Sequence, residues 1–240
     1  MDKTSNFERP RVVCHMVGSV DGRIATAGWP LSDEGHRQYE QVHASYEPDG
    51  WICGRVTMEQ HFARGVRSEA EVDREHAGPP REDFVAPGKH ESFAIAVDPR
   101  GKLVWDSGDT HGDHVVAVLT HRVSDEYLAS LRERGVSYLL AGDEDVDLPL
   151  ALEKIRARLG VRTLMLEGGG GINGSFLRAG LIDELSLLLA PVADGRIGTP
   201  ALFDVDDDAA PRRLSLQSVE RRADDVLWLR YRVEPGAGRG

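Results

Sequence analysis

Cysteine is nearly absent from this chain: there are two in 240 residues, and both, Cys14 and Cys53, lie inside apolar runs instead of at a repeated spacing. That excludes a disulfide framework and a cysteine-built zinc site, and reads as two reduced thiols packed in a core. No metal is expected. Long hydrophobic runs are missing too, none approaching the roughly 18 residues that a bilayer crossing needs, and the opening MDKTSNFERP is polar. Neither a signal peptide nor a membrane span is expected, so the cytoplasm is the default location. Positive charge is in deficit, with 29 Lys+Arg against 40 Asp+Glu, a formal net charge of -11 and a pI near 5.3. A continuous basic surface cannot be assembled from that balance, which argues against nucleic acid as a partner. Any anionic ligand must be met by a few local arginines.

What is present is ordinary globular material, 40% hydrophobic and 29% charged, enough for one sizeable core and a single domain over residues 1–240. The run from Val12 to Val17, apolar apart from His15, reads as a buried strand ending in the turn Gly18-Ser19-Val20-Asp21-Gly22. Ser32, followed by Asp33 and Glu34, is an N-cap with acids in the first helical turn, and its helix should run to about Tyr46 before Pro48 stops it. Gly50–Gly54 is a second short strand. Apolar runs recur at Phe93–Val97, Val115–Leu119, Val136–Leu140 and Thr163–Leu166, with helices predicted at Ser124–Arg134 and Leu148–Leu159. That alternation predicts an α/β fold, a mostly parallel sheet with helices on both faces. After Leu166 come glycines, a short helix to about Ala179 and a strand over Glu184–Val192. Leu214 and Leu216 alternate with polar residues, and Val226–Val233 is again β-rich, so the chain should end in an antiparallel hairpin. Residues 63–91, rich in charge, Gly and Pro, read as a surface excursion, and the acidic run Asp204–Asp208 as a solvated loop.

The strongest chemical signal is Glu167-Gly168-Gly169-Gly170-Gly171-Ile172-Asn173-Gly174, a strand that enters glycines and then a helix. Missing side chains let a diphosphate approach the backbone, and the helix start offers N–H groups at the positive end of its dipole. Gly169, Gly171 and Gly174 also satisfy a dinucleotide-binding spacing, with Asp194 about 20 residues on. The pattern lies too late in the chain for a doubly wound dinucleotide domain, and a tight turn is the competing explanation of the glycines. A second signal is Gly54-Arg55-Val56-Thr57 after a strand. Thr57 with Gln60 fits a capping box that needs no ligand, whereas the Arg55 guanidinium beside a helix start suits a phosphate monoester. Glu167, an acid at the carboxyl end of a buried strand, stands where open α/β sheets bind ligands, and is the leading catalytic residue.

Taken together and in order, Ser19-Val20-Asp21-Gly22-Arg23-Ile24-Ala25, Gly54-Arg55-Val56-Thr57, Ala96-Val97-Asp98, Glu167-Gly168-Gly169-Gly170, Gly180–Leu185 and Ala190-Pro191 resemble the reductase domain of the riboflavin-biosynthesis deaminase–reductase family, itself related to dihydrofolate reductase. The resemblance spans about Arg11 to Tyr231 and implies a dihydrofolate-reductase-like fold, NADPH as cofactor and a homodimer. By it, Gly168, Gly169, Gly170 and Gly171 with Ile172 and Asn173 line the NADPH diphosphate. Arg55 meets the 2′-phosphate, Thr57 touches the cofactor, and Val97 and Asp98 border the adenosine side, with Pro99 where relatives often have serine. Glu167 touches the ribosyl substrate. His15 stands where bacterial relatives commonly carry a lysine, and His61 where many have an aspartate.

The reaction so implied is that of a 5-amino-6-(5-phosphoribosylamino)uracil reductase, a hydride passing from NADPH to C1′ of a ribosylaminopyrimidine 5′-phosphate. Glu167 and His15 are the expected proton handlers, and Asp21 orients the substrate or its loop. Ser19, Arg23, Arg37 and His43 are the residues expected around the substrate. The zinc deaminase signature is missing, so no deamination by that mechanism accompanies the reduction. Two other readings fit the same residues: a related reductase of a pterin or natural-product precursor, and an NADPH-binding module without turnover.

Overall fold

Five-residue runs without a polar side chain, such as Phe93–Val97, can be buried on both faces only inside a parallel sheet covered on each side. In the computed structural model, which describes residues 8–68, 72, 82–205 and 211–235, all five of these residues are buried. The described residues divide into two compact units, 8–10 with 49–164 and 11–48 with 165–235.

In the first unit, β2 (Gly50–Gly54), β4 (Phe93–Val97), β7 (Asp113–Leu119) and β8 (Ser137–Leu140) pair parallel in that order. Helices α2 (Arg55–His61), α3 (Asp125–Glu133) and α4 (Leu148–Lys154) lie between or after these strands in the chain. Ser124 and Asp147 cap α3 and α4 by accepting from Tyr127 N and Leu150 N. The helix expected to run on to Leu159 instead changes to a wider π-type turn over Ile155–Leu159, closed by Gly160 in the left-handed region. A short strand β6 (Asp109–Thr110) runs antiparallel to β7, and β3 (Gly65–Val66) pairs with β5 (Leu103–Val104).

The expected excursion over residues 63–91 is therefore pinned at both ends, although 69–71 and 73–81 lie outside the described residues. At its far end Phe84 and Tyr138 exchange backbone bonds of 2.9 and 2.8 Å, and Ala86 N donates to Ser137 Oγ at 2.9 Å. His114 Nε2 lies 2.7 Å from the same hydroxyl, and the His90 ring stacks on His114 at 3.6 Å. Burial and the neighbouring His90 push the His114 imidazole down from 6.5 to about 4. Between those values the unfolded chain binds a proton that the folded one refuses. Stability is thus full above pH 6.5 and falls as pH drops through that window, by at most about 3 kcal/mol. Thermal melts from pH 7.5 to 4.5 should show this loss in the native protein and a flatter curve in His114→Asn; parallel curves would remove His114 from the account.

In the second unit, β1 (Arg11–Gly18) pairs parallel with β10 (Glu184–Leu189), which pairs antiparallel with β12 (Leu227–Val233), itself antiparallel to β11 (Leu214–Arg221). This is the expected terminal hairpin. Helix α1 (Asp33–Ser45) begins at Ser32, whose side chain accepts from Gly35 N, and its inner face carries Gln38 and Val42. Helix α5 (Gly170–Arg178) follows the glycine run. Strand β9 (Thr163–Leu166) carries the chain from the first unit into the second, and Glu167 is the first residue beyond it. The fold is a mixed, mostly parallel α/β sheet closed at its end by an antiparallel hairpin. No helix among the described residues is long and apolar enough to cross a membrane.

Candidate active site

Tyr39 and His43 lie four residues apart on α1 and therefore on one face of it. His43 Nδ1 is 2.7 Å from Glu167 Oε1, and the Tyr39 phenol, near the same carboxylate, donates to the His15 carbonyl at 3.1 Å. Burial, then the Glu167 charge, pushes the phenol well above its usual range, so it remains a donor. Below this pair His15 is wholly buried and stacked on the Tyr39 ring, centroids 4.3 Å apart. Its Nδ1 lies 3.1 Å from Ser186 Oγ and its Nε2 3.1 Å from the Tyr39 carbonyl. Glu167, His15 and His43 are thus brought together as one cluster, with Tyr39 and Ser186 as members the sequence reading did not single out.

Next in the chain come the glycines. A Cβ at Gly168 would lie 2.0 Å from Ile172 Cγ2, and one at Gly170 would lie 2.4 Å from the Ala201 carbonyl. These two glycines admit close packing of the protein against itself, which is the tight-turn explanation. Gly171 differs, for it is exposed and a Cβ there would meet nothing within 4 Å. Gly169 caps α5 with no side chain of its own, and among the described residues no side chain accepts from the first amides of the helix. Asn173 is buried, its Nδ2 donating to the carbonyls of Gly168 (3.3 Å) and Leu202 (3.1 Å), while its Oδ1 has no partner.

Asp194 does not play the acidic part in a dinucleotide fingerprint. Its carboxylate accepts from Arg196 and from the Trp29 indole (2.8 Å), which hold it far below the usual carboxylate range. Asp21 is also engaged within the protein: it accepts from Ser19 Oγ (2.6 Å), Asp194 N (3.0 Å) and Gly195 N (2.8 Å), and these bonds hold its pKa at about 2. These contacts join it to the loop at Asp194 and Gly195. Ser19 is buried and also accepts from Arg23 N, and Arg23 donates to the Thr199 carbonyl at 2.8 Å. Arg37 pairs with Glu34 on the exposed side of α1.

In the first unit, a cavity of about 540 Å³ opens where β2, β4, β7 and β8 end, lined by Arg55, Asp98, Pro99, Arg100, Lys102, Arg122, Glu144 and Asp145. Four cations against three acids give it a local charge opposite to that of the whole chain. Val97 is the buried last residue of β4. The Asp98 carboxyl accepts from Leu103 N at 2.8 Å through Oδ2, whereas its buried Oδ1 has no partner, and burial pushes its pKa up. Arg55 reaches Glu59 at 2.5 Å. Thr57 is not a capping residue: α2 starts at Arg55 with Gly54 as its cap, three positions earlier than the capping-box reading requires. Arg100, Lys102 and Arg122 were missed, although basic residues directly after the strand ends were a visible signal.

The family model of the RibD C-terminal domain matches residues 10–228. The chain belongs to the RibD C-terminal domain family. A 2,5-diamino-6-ribosylamino-4(3H)-pyrimidinone 5′-phosphate reductase of Methanothermobacter thermautotrophicus is 29% identical over 229 residues, covering 91% of this chain and 96% of its own. Among solved structures, a pyrimidine reductase-like protein of Corynebacterium diphtheriae superposes with a TM-score of 0.68 at 17% identity, over 94% of this chain and 92% of its own. The riboflavin biosynthesis reductase Rib7 of Saccharomyces cerevisiae gives 0.62 at 18% identity, over 97% and 93%. At such identities these two likenesses establish the fold of a RibD-type reductase, as the sequence motifs implied.

Proposed function

We propose that this protein is a cytoplasmic NADPH-dependent reductase of a ribosylaminopyrimidine 5′-phosphate. The observation that carries the reading is the Glu167–His43 pair, set in the chain directly before the uncapped glycine start of α5. The name of the Methanothermobacter relative favours the 2,5-diamino pyrimidinone over its deaminated uracil counterpart as substrate.

The residues fit the cofactor. In the second unit Gly171 and the first amides of α5 offer a backbone surface that suits a diphosphate; in the first, taken by itself, the cationic cavity at Arg55 offers charge that suits a phosphate monoester. Val97, Asp98 and Thr57 would border the nucleoside, with Ile172 and Asn173 behind the diphosphate. NADPH, when bound, supplies the hydride. The chain's own part is to hold the substrate hydroxyls and deliver a proton, which Glu167 does with His43 beside it.

Purified protein mixed with NADPH and the 2,5-diamino pyrimidinone phosphate should lose NADPH absorbance and form the ribityl product. NADPH binding without oxidation would leave a non-catalytic module, and oxidation only with a pterin would move the substrate class. A second copy is assigned to the β11 edge, where Leu216 and Val219 are each 54% exposed on a strand that, among the described residues, pairs on one side only. Sedimentation at micromolar concentration should give a dimer, and monomer alone would remove that assignment.

A further inference from the structure

Helix α1 carries Tyr39 and His43, the two residues set against Glu167, so the placement of that helix sets the surroundings of the carboxylate. Just beyond its carboxyl-terminal end, the Tyr46 phenol donates to Glu184 at 2.5 Å and holds it there. Its amino-terminal end is held by the turn between β11 and β12. Asp224 Oδ2 accepts there from Ser32 N at 2.9 Å and from the Ser32 hydroxyl, and these bonds hold the carboxyl below its usual range. One residue earlier, the Ala223 carbonyl accepts from the buried side chain of Gln38 at 2.9 Å. Val226, two residues after Asp224, joins Val42 in an apolar cluster against which Tyr39 packs.

Three unfavourable local choices meet at this contact. Asp224 and Asp225 both have φ of 56°, in the left-handed region that residues other than glycine occupy uncommonly. Gly35 stands in the first turn of α1, where most residues make a better helix, and a Cβ there would lie 2.7 Å from Asp224 Oδ2. Glycine is what lets the carboxylate approach. Such backbone strain persists where the surroundings over-determine it, and it clusters at functional sites. Capping is not what the contact adds, because Ser32 already caps α1 by accepting from Gly35 N at 3.1 Å. What Asp224 adds is a tie between the hairpin and the helix that bears His43.

We propose that Asp224 is a positioning residue of the active site: by holding the start of α1 against the β11–β12 turn, it sets where His43 and Tyr39 meet Glu167. This rests on the reductase reading above, which makes Glu167 the proton donor. The contact joins residues 192 positions apart and is exposed to solvent, so its charge contributes little by itself and its part is geometric. A misplacement of about 1 Å at a reacting pair can lower a rate about a hundredfold, and about tenfold is expected from loosening one end of a helix still held at the other.

Asp224→Gly tests this, because glycine keeps the left-handed turn without strain and removes the carboxylate. Its kcat should fall about tenfold, with NADPH affinity within about twofold of native, since the glycine start of α5 is not part of α1. Asp224→Asn tolerates the left-handed conformation and retains an oxygen for Ser32, and should keep kcat within about threefold of native. Adding Gly35→Ala to Asp224→Gly replaces a poor helix former once the carboxylate is gone, and leaves Leu31 Cβ at 3.3 Å as the nearest atom. The double variant should melt no lower than Asp224→Gly while its kcat stays low, whereas a merely structural contact would make kcat follow the melting temperature. Where Asp224→Gly melts too low to assay, the double variant takes its place. In the apo protein, NMR should find the His43 imidazole resonances moved in Asp224→Gly and little changed in Asp224→Asn. Native kcat in Asp224→Gly, kcat recovering with the melting temperature in the double variant, or unmoved His43 resonances would overturn the proposal. Absence of all NADPH oxidation by the native protein would instead fail the reductase reading, and the resonances alone would then decide whether Asp224 sets α1.

Discussion

Replacing Glu167 by Gln is expected to lower turnover at least about tenfold, the low side of general-acid effects, while NADPH affinity changes little. The substitution keeps size, and the Gln carbonyl oxygen can still accept from His43 Nδ1 across the 2.7 Å now spanned to the carboxylate. What is lost is the charge and the exchangeable proton. The competing account makes Glu167 a cap for the glycine turn, holding backbone N–H groups. The geometry favours the chemical account, because α5 is capped by Gly169 without any side chain and Glu167 faces His43 and Tyr39 on α1. A cap would give a variant that melts earlier or binds NADPH more weakly at full turnover. Fluorescence titration, thermal melting and NADPH oxidation on the same preparation separate these outcomes, and unchanged turnover with intact binding would take Glu167 off the catalytic list.

Where local physics decides the conformation, the fold was legible in the sequence. Phe93–Val97 and Gly50–Gly54 form the expected strands because continuous apolar runs have one place to go. Ser32 and Ser124 start their helices because their hydroxyls accept from the third residue on. The start of α2 was misread, since Thr57 and Gln60 form an equally good capping pattern, and only the tertiary course of the chain after β2 sets the start at Arg55. The strand expected to reach Val192 stops at Leu189, with Pro191 unable to donate to a ladder. Within the site, Glu167 stood out as an acid at a strand end. Tyr39 and Ser186 did not, because their parts come from a helix and a strand brought against β1, and no spacing along the chain encodes that meeting. His15 was visible as a residue but its partners were not, since its two ring nitrogens face the carbonyls of Tyr39 and Ser186, 24 and 171 positions away.

Arg55→Ala is expected to weaken NADPH about ten- to a hundredfold while leaving NADH nearly untouched. A charge-assisted pair to a 2′-phosphate contributes on the order of 1.5–3 kcal/mol, and NADH lacks that phosphate. The existing partner of Arg55 does not stand in the way. Its pair with Glu59 is an i,i+4 contact on a short helix with both side chains about a third exposed, of a kind that contributes only about 0.3–0.5 kcal/mol. Removing Arg55 also leaves the Glu59 carboxylate unopposed near the incoming phosphate, which adds to the loss. Arg100, Lys102 and Arg122 line the same cavity and can share the phosphate, which limits the effect toward its tenfold end. Glu59→Gln separates these contributions: it should leave NADPH binding equal or tighter, because it frees Arg55 without removing it. Titrations of both cofactors against the native protein and the two variants decide the matter. Equal weakening of NADPH and NADH by Arg55→Ala would show that the arginine supports α2 or the diphosphate, and a Glu59→Gln variant that binds NADPH worse would show that the ion pair itself holds the cavity in shape.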